Sequence, residues 1–257
     1  MKKFLFLLFI IIIFSGYCQA ITFAVFGDCH LQDTITTGEK ILTKIIESVN
    51  QHPEIEFVVC LGDIVGYPSS VNLDKYHIAI EKYLKISEKL NVPLFTIAGN
   101  HDLEGGIKFK EVFQKIFGDL FFSVEKNGFV LIFLNSEELS EQQIEWLKTE
   151  LKKQGIKLIF MHKPIIPVFF IYNHAVDIRT MMQLKFLLEN NNVIAVFSGH
   201  DHIFHVNKNN KFIQVISGGS GGKLAPAPKN GKSAYHYCII SIKDGRIMAK
   251  PVIVNTD

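Results

Sequence analysis

Val92-Pro93-Leu94-Phe95-Thr96-Ile97, followed at once by Ala98-Gly99-Asn100-His101-Asp102, is the stretch of this 257-residue sequence that best indicates its fold. The apolar part predicts a buried strand, and the glycine lets the backbone pass close to a neighbouring segment. In the turn, Asn100 offers a neutral oxygen ligand, His101 a proton donor or acceptor, and Asp102 a carboxylate that could orient the histidine. Gly, Asn and Asp also make ordinary turns, so the significance of the stretch depends on whether its layout recurs.

An apolar strand that ends in a polar tip occurs at four other places along the chain. The five tips carry Asp28 with His30, Asp63, Asn100 with His101, His162, and His200 with His202. Because the functional crevice of an open α/β sheet lies at the carboxyl ends of its strands, we expect the tips to converge. Residues two apart on an extended segment project to the same side, so the two members of each Asp-x-His or His-x-His tip should face one centre.

Between the tips, the hydrophobic pattern predicts an alternation of strands and helices. Helices are predicted over 36–50 with Thr37 as a cap, 72–90, 107–117, 140–153 capped by Ser140, and 177–188. Strands are predicted over 21–26, 56–61, 92–97, 120–124, 129–135, 157–161, 193–198, 203–207, 211–217, 235–242 and 246–254. Asn127-Gly128 and Asp244-Gly245 predict hairpin turns. Helices and strands alternate first and strands alone follow, which indicates an α/β protein with mixed sheets covered by helices.

The N-terminus has the pattern of a secretory signal peptide over residues 1–20. Lys2 and Lys3 precede an apolar run over 4–14, and the small residue Ala20 predicts the cleavage site. We therefore expect an exported protein, periplasmic or secreted, with one domain over 21–257. An uncleaved anchor and a lipoprotein cut before Cys18 are the alternatives, although the run is shorter than the ~20 residues of a spanning helix. No stable membrane span is expected after cleavage.

The amino-acid composition limits the size of the domain, its cysteine chemistry and the kinds of molecule that it can bind. The chain is 48% hydrophobic with 22 Phe, which suits one well-buried domain. Removing residues 1–20 takes away Lys2 and Lys3 and no acid, so 27 basic residues become 25 and balance the 25 acidic ones. Such neutrality argues against a nucleic-acid partner. Three cysteines remain, and their odd number predicts buried free thiols, with one disulfide left open.

The polar tips together carry a metal-ligand set. Two Asp, one Asn and four His are too many for one ion and suit two ions that share a bridging carboxylate. Imidazole and carboxylate ligands favour divalent or trivalent Mn, Fe or Zn. A single His at a strand end is more often a hydrogen-bonded structural residue, but five ordered tips are much harder to explain in that way.

These blocks, in this order over residues 27–202, resemble the calcineurin-like metallophosphoesterases. The blocks are Gly27-Asp28-Cys29-His30, Gly62-Asp63-Ile64-Val65-Gly66, Gly99-Asn100-His101-Asp102, His162 and Gly199-His200-Asp201-His202. The resemblance implies a four-layer α/β/β/α sandwich of two mixed β-sheets flanked by helices, with a dinuclear site at the strand tips. It also implies that one metal is held by Asp28, His30 and His202, the other by Asn100, His162 and His200, and that Asp63 bridges them.

The resemblance further implies a phosphoesterase in which a metal-bridging hydroxide attacks the phosphorus of a small ester, such as a nucleotide. His101 would protonate the leaving oxygen or stabilise phosphoryl charge, oriented by Asp102. Purple acid phosphatases carry Gly at the position of His30, so His30 favours the branch that includes cyclic-nucleotide phosphodiesterases. The sequence does not distinguish a monoester from a diester substrate.

Nearby loops are candidates for substrate contacts. Lys163 could meet a phosphate or be a solvated lysine, and residues 218–222 could offer backbone N–H groups to an anion. Phe169, Phe170, Tyr172 and His174 could stack a ring or simply pack against the domain. A metal-binding protein without catalysis and a metallonuclease are the rival functions. His101 argues against the former and the neutral charge against the latter.

Overall fold

The computed structural model describes residues 20–66, 72–168, 176–208 and 211–256. Its strands are β1 (Ala20–Phe26), β2 (Val58–Cys60), β3 (Leu94–Thr96), β4 (Phe122–Lys126), β5 (Phe129–Phe133), β6 (Ile156–Phe160), β7 (Val193–Ser198), β8 (Phe204–Lys208), β9 (Ile213–Ser217), β10 (His236–Lys243) and β11 (Arg246–Ile253). Its helices are α1 (Thr37–Val49), α2 (Leu73–Ser87), α3 (Asn100–Leu103), α4 (Ile107–Phe117), α5 (Glu141–Glu150) and α6 (Ile178–Glu189).

The strands form two mixed sheets. The first has five strands in the order β11-β10-β1-β2-β3, and the second has six in the order β4-β5-β6-β7-β9-β8. In the first sheet β1, β2 and β3 are parallel, whereas β10 runs antiparallel to β1. In the second, β5, β6, β7 and β9 are parallel, with antiparallel strands at both edges. The parallel strands of both sheets therefore place their carboxyl ends together, where a functional crevice is expected.

Three apolar layers hold the sandwich together, which confirms the four-layer α/β/β/α prediction. One lies between the first sheet and helices α1, α2 and α4, and includes Ile45 and Tyr83. Another, between the second sheet and α5 and α6, includes Leu147 and Leu184. The central layer lies between the two sheets and contains many of the chain's phenylalanines.

The central layer explains the abundance of Phe. The Phe133 ring stacks on Phe160 at 4.9 Å between centroids, and Phe160 stacks on Phe197 at 5.1 Å. Phe23 from the opposite sheet meets Phe197 edge-on at 5.3 Å. Phe133, Phe160 and Phe197 occupy paired positions on neighbouring strands, so the second sheet presents an aromatic face to the first. Burying such large apolar side chains is the main favourable term in holding two sheets face to face.

The predicted elements are present, with differences at their ends. Both hairpin predictions are confirmed, because Asn127 and Gly128, like Asp244 and Gly245, have positive φ at both central positions of the turn. The predicted cap of the first helix was wrong by one residue, since the side chain of Thr36, not Thr37, accepts the N–H of Glu39. Strands β2 and β3 are shorter than predicted, because their apolar flanks belong to loops packed into the same core.

The turn after β2 requires a glycine. Gly62 has φ +93°, and a Cβ at this position would lie 2.6 Å from the backbone nitrogen of Gly99. The absence of a side chain therefore lets the tips of β2 and β3 touch, which brings Asp63 beside the Asn100 turn. Gly118 has nearly the same φ, +90°, but a Cβ added there would meet no atom within 4 Å.

We expect Gly62→Ala to destabilise the protein by about 2–3 kcal/mol more than Gly118→Ala, because only the former adds a clash with backbone to the cost of positive φ. The measurement is the free energy of unfolding in urea for both variants. Equal losses of stability in the two variants would contradict the close-packing explanation.

The cysteine prediction is met in the part of the chain that the structure describes. Cys29, Cys60 and Cys238 are free and buried. Burial raises the pKa of the Cys29 thiol well above its usual value, and neighbouring Cys60 raises it further. No helix among the described residues combines the length and apolar character needed to cross a membrane.

Candidate metal centre

All five polar tips lie at the carboxyl ends of parallel strands and meet at one edge of the two sheets. β1, β2 and β3 of the first sheet lead to Asp28, Asp63 and Asn100, while β6 and β7 of the second lead to His162 and His200. The tips therefore converge as predicted, and both sheets contribute ligands to one centre.

The local geometry differs from the predicted one. Asp28, His30, Asp63, His200 and His202 all have positive φ, between 50° and 67°. They do not lie on extended segments with alternating side chains, so the expected reason why two residues of one tip face the same centre was wrong. Left-handed conformations are unfavourable for residues with a side chain and concentrate at functional sites. Here they turn each tip so that residues two apart still face inward. Between them, Cys29 packs into the core as expected, whereas Asp201, although buried, lines the adjoining cleft and is not turned away.

The predicted ligands form two clusters that share one carboxylate. Asp28, His30, Asp63 and His202 bring one ligand atom each to within 4.8 Å of the others, and Asp63, His162 and His200 do the same. Asn100 joins the second cluster through its Oδ1, which lies 3.2 Å from His162 Nε2. The structure thus brings together all seven residues proposed as metal ligands, with Asp63 in the position of a shared ligand.

The carboxylate of Asp63 is almost fully buried between two imidazoles. Its Oδ2 lies 3.5 Å from His30 Nε2 and 3.3 Å from His162 Nε2. Its Oδ1 accepts a hydrogen bond of 2.9 Å from the backbone N–H of His101. A buried carboxylate is costly unless it is paired or coordinates a cation, so this environment suits a residue that faces two cations.

The remaining contacts are those of a metal site. His30 Nε2 is buried without a hydrogen-bond partner, although it points into the cluster. The opposite ring nitrogens of two other ligands are fixed, because His162 Nδ1 donates to Leu61 O at 2.8 Å and His202 Nδ1 donates to Lys223 O at 2.7 Å. Such outer hydrogen bonds set the tautomer that leaves Nε2 free to bind a metal. The donor set therefore fits a pair of transition-metal ions.

The charges in the cluster are strongly coupled. Burial by itself would raise the pKa of Asp63, but His162 and His30 outweigh it and hold the pKa well below its usual range. Burial would lower the pKa of His162, but the facing Asp63 carboxylate raises it to about 10. The pKa of His202, lowered by burial and raised by Asp28, is about 9. Metal ions bind deprotonated ligands, so loading of the centre must release these protons.

Asp102 does not occupy the predicted place beside the His101 ring. Its Oδ1 accepts the N–H groups of Ile64 and Val65 at 3.0 and 3.2 Å, and its Oδ2 accepts the N–H of Gly99 at 2.8 Å. Burial, and after it the nearby Asp63, raises the pKa of Asp102 to about 7. Asp102 therefore joins the tips of β2 and β3 and caps the N-terminus of helix α3. The sequence did not predict this helix.

Glu104 has a role that sequence reasoning missed. Its Oε1 accepts a hydrogen bond of 3.0 Å from Asn100 Nδ2, which directs the amide oxygen of Asn100 toward His162. Its Oε2 lies 3.9 Å from His101 Nδ1. Glu104 follows Asn100 by four residues, and residues at this spacing on a helix are neighbours. A prediction of α3 would therefore have indicated the contact.

The glycine-rich loop over 218–222 supports the ligands instead of offering N–H groups to an anion. The N–H of Ser220 donates to Gly27 O, and that of Gly222 to Asp28 O, at 3.1 and 2.8 Å. Ser220 Oγ accepts the N–H of Gly27 at 3.2 Å and donates to His236 O. These contacts hold the strained turn that carries Asp28.

We expect Ser220→Ala to weaken metal binding by about tenfold, as is usual when a residue that supports a ligand is removed. The buried N–H of Gly27 loses its side-chain partner, so the turn that carries Asp28 is free to relax. Metal affinity is measured by competition with a chelator. The matched control is Ser217→Ala, whose buried hydroxyl donates to Val25 O within β1 and not to the turn that carries Asp28.

A cleft of about 390 Å³ opens beside the centre. The residues that line it are Asp63, Asn100, His101, His200, Asp201, His202, Lys223, Leu224, Ala225 and Pro226. Lys163, considered as a phosphate ligand, instead forms an ion pair of 2.5 Å with Glu137. The aromatic candidates Phe169, Phe170, Tyr172 and His174 lie outside the described residues.

A four-layer α/β/β/α sandwich with two metal-ligand clusters at its strand tips defines the class of dinuclear metallophosphoesterases. Residues 21–204 match the family model of the calcineurin-like phosphoesterases. The chain therefore belongs to this family, as its five sequence blocks predicted.

The named relatives are phosphatases. The serine/threonine-protein phosphatase CPPED1 of Bos taurus is 26% identical over 204 residues, which cover 68% of this chain and 63% of the relative. Human tartrate-resistant acid phosphatase type 5 is 25% identical over 243 residues, which cover 79% of this chain and 74% of the relative. The match thus spans less than two thirds of the bovine protein's length. Such relatives support a metal-dependent phosphoric ester hydrolase.

Solved structures show the same fold. A purple acid phosphatase from yellow lupin superimposes with a TM-score of 0.73 at 16% identity, covering 93% of this chain and 52% of the lupin chain. A dimetal phosphatase from Danio rerio superimposes with a TM-score of 0.66 at 14% identity, covering 91% and 99%. The assignment to the branch of cyclic-nucleotide phosphodiesterases stays a prediction from His30.

Proposed function

We propose that this protein is an exported phosphoesterase that uses two metal ions to hydrolyse a small phosphate ester. The observation that carries the proposal is the sharing of Asp63 between two ligand clusters, with His101 on the wall of the adjoining cleft. Two ions held in this way would bind phosphoryl oxygens and supply a nucleophilic hydroxide at neutral pH.

The chain's own residues then have distinct roles. Asp28, His30 and His202 would hold one ion, and Asn100, His162 and His200 the other. His101 is not needed as a ligand, because its backbone N–H supports Asp63 while its ring remains on the cleft. That ring is 29% exposed and could deliver a proton to the leaving oxygen of a bound ester.

A phosphomonoester is the first substrate class to test, because the relatives named above are phosphatases. A phosphodiester remains the alternative that His30 favours. The cleft offers one lysine and no arginine among the described residues that line it. The described lining therefore does not present the row of cations that a metallonuclease uses to follow a nucleic-acid backbone.

The test compares nitrophenyl phosphate with bis-nitrophenyl phosphate on the purified chain loaded with Mn²⁺, before and after chelation. We expect turnover that chelation abolishes, and the ratio of the two rates separates a phosphatase from a phosphodiesterase. If two ions are bound and neither ester is hydrolysed, the result would favour a metal-binding protein without catalysis. Salt-sensitive cleavage of DNA or RNA would instead favour a nuclease.

Export is the second part of the proposal and depends on residues 1–20, of which 1–19 lie outside the described residues. The basic start and the apolar run support it. Mass spectrometry of the protein recovered from an expressing cell tests it directly, and we expect a mature N-terminus at Ile21. A lipid-modified Cys18 would indicate a lipoprotein, and an intact N-terminus in the cell interior would contradict export.

A further inference from the structure

The lining of the cleft beside the candidate centre combines two chemically different sets of residues. Asn100, His101 and Asp201 are among its polar residues, and the other set is the continuous stretch 223–226. In the latter, Leu224, Ala225 and Pro226 are apolar, whereas Lys223 carries a positive charge. Among the described residues that line the cleft, Lys223 is the one lysine, and no arginine is present.

The backbone of Lys223 is fixed to the candidate ligands. Its carbonyl accepts the 2.7 Å hydrogen bond from His202 Nδ1. On either side of it, Gly222 N–H donates to Asp28 O at 2.8 Å and Ala225 N–H donates to His202 O at 3.3 Å. These three hydrogen bonds to Asp28 and His202 fix the backbone around Lys223 beside one ligand cluster. The side chain of Lys223 remains free to move.

The ammonium group of Lys223 has no acidic partner in the described part of the chain. Lys163, the lysine next to His162, is by contrast neutralised by Glu137. The segments 67–71, 169–175 and 209–210, which the structure does not describe, contain no Asp or Glu in their sequence. An exposed cation that forms no ion pair with a described residue, attached beside the candidate metal centre, is suited to bind an anion that enters the cleft.

We propose that Lys223 binds a second anionic group of the substrate, a carboxylate or a second phosphate, on the organic part of the ester. The reacting phosphate lies at the metal centre, the body of the substrate packs against Leu224, Ala225 and Pro226, and the second anion meets the ammonium group. This inference rests on the proposed phosphoesterase function and adds a substrate class to it, namely phosphate esters with a further negative charge.

The test uses three esters with the same ring: phenyl phosphate, 4-carboxyphenyl phosphate and the bisphosphate of hydroquinone. For each ester, kcat/KM is measured with the Mn²⁺-loaded full chain and with Lys223→Gln, Lys223→Arg and Lys229→Gln. Lys229 belongs to the same loop and is exposed but does not line the cleft, so its variant is the matched control. Comparison of the two charged esters identifies which anion is preferred.

We expect Lys223→Gln to lower the preference for a charged ester over phenyl phosphate by about 10- to 100-fold, the usual contribution of a charge-assisted hydrogen bond. Lys223→Arg should keep the preference, and Lys229→Gln should leave it as in the unchanged chain. Calorimetric binding of benzylphosphonate and 4-carboxybenzylphosphonate provides a readout that does not depend on turnover, and the same variant should weaken only the latter.

The outcomes separate the two proposals. If no ester is hydrolysed, the phosphoesterase function fails, and the phosphonate pair still reports whether Lys223 recognises the second anion. If Lys223→Gln lowers kcat/KM for all three esters by the same factor, Lys223 acts on the reacting phosphate, and the inference is overturned. An unchanged preference in hydrolysis and in phosphonate binding overturns it as well.

Discussion

Asp63→Asn is expected to lower phosphoesterase turnover by about 10³-fold or more, since the change removes the one charge that both ligand clusters share. The amide keeps the size of the side chain and can still accept the N–H of His101. What it loses is the negative charge between His30 and His162, which faces imidazoles at 3.5 and 3.3 Å. We therefore expect the metal content to fall from two ions per chain toward none.

Metal content is measured by mass spectrometry after equilibration at a fixed concentration of free Mn²⁺, and turnover on nitrophenyl phosphate is measured in parallel. The control is Asp74→Asn, which removes an exposed carboxylate in the first turn of α2. Circular dichroism establishes that both variants fold. A variant Asp63→Asn that keeps both ions and a tenth of the activity would show that Asp63 is not a shared ligand.

His101→Ala is expected to lower kcat by about 10²- to 10⁴-fold for an ester with a poor leaving group, while both metal ions remain bound. The imidazole lines the cleft and packs edge-on against His30 with 4.9 Å between ring centroids, but it belongs to neither ligand cluster. The loss should be much smaller for nitrophenyl phosphate, because nitrophenolate departs without a proton.

An alkyl phosphate and nitrophenyl phosphate are therefore compared on the same preparation, with His52→Ala as the control. His52 follows α1 and precedes β2, at the opposite end of the sheet from the centre. Equal losses on both esters would indicate that His101 stabilises phosphoryl charge and does not donate a proton. Unchanged rates on both would exclude a catalytic role.

Much of the fold and of the site could be predicted because the information was local. The hairpins at Asn127-Gly128 and Asp244-Gly245 follow from the ability of these residues to adopt positive φ. Helix α4 has the predicted bounds, 107–117, because its apolar spacing and the flanking Gly106 and Gly118 mark both ends. The identity of the candidate ligands followed from their position directly after apolar strands.

Other features depended on contacts between residues far apart in the chain. The partners of Asp102 are backbone N–H groups near residue 64, so its neighbour in sequence, His101, was the wrong partner to expect. Likewise, Lys163 was considered as either a phosphate contact or a solvated lysine because it follows His162, but it pairs with Glu137 from another strand end. No periodicity or motif in the sequence indicates which residues pair in this way, because such pairs form only when separate strands pack together.

By itself, then, the sequence determined the α/β class, the order of the polar tips and the residue types that suit two metal ions. These depend on hydrophobic period and on the chemistry of single side chains. The tertiary structure alone decided how the tips meet: through left-handed turns at Asp28, His30 and Asp63, through the contact of Gly62 with Gly99, and through the loop that fixes Lys223 beside His202. The physical reason is that a strained conformation persists only where surrounding contacts hold it, and those contacts come from both sheets at once.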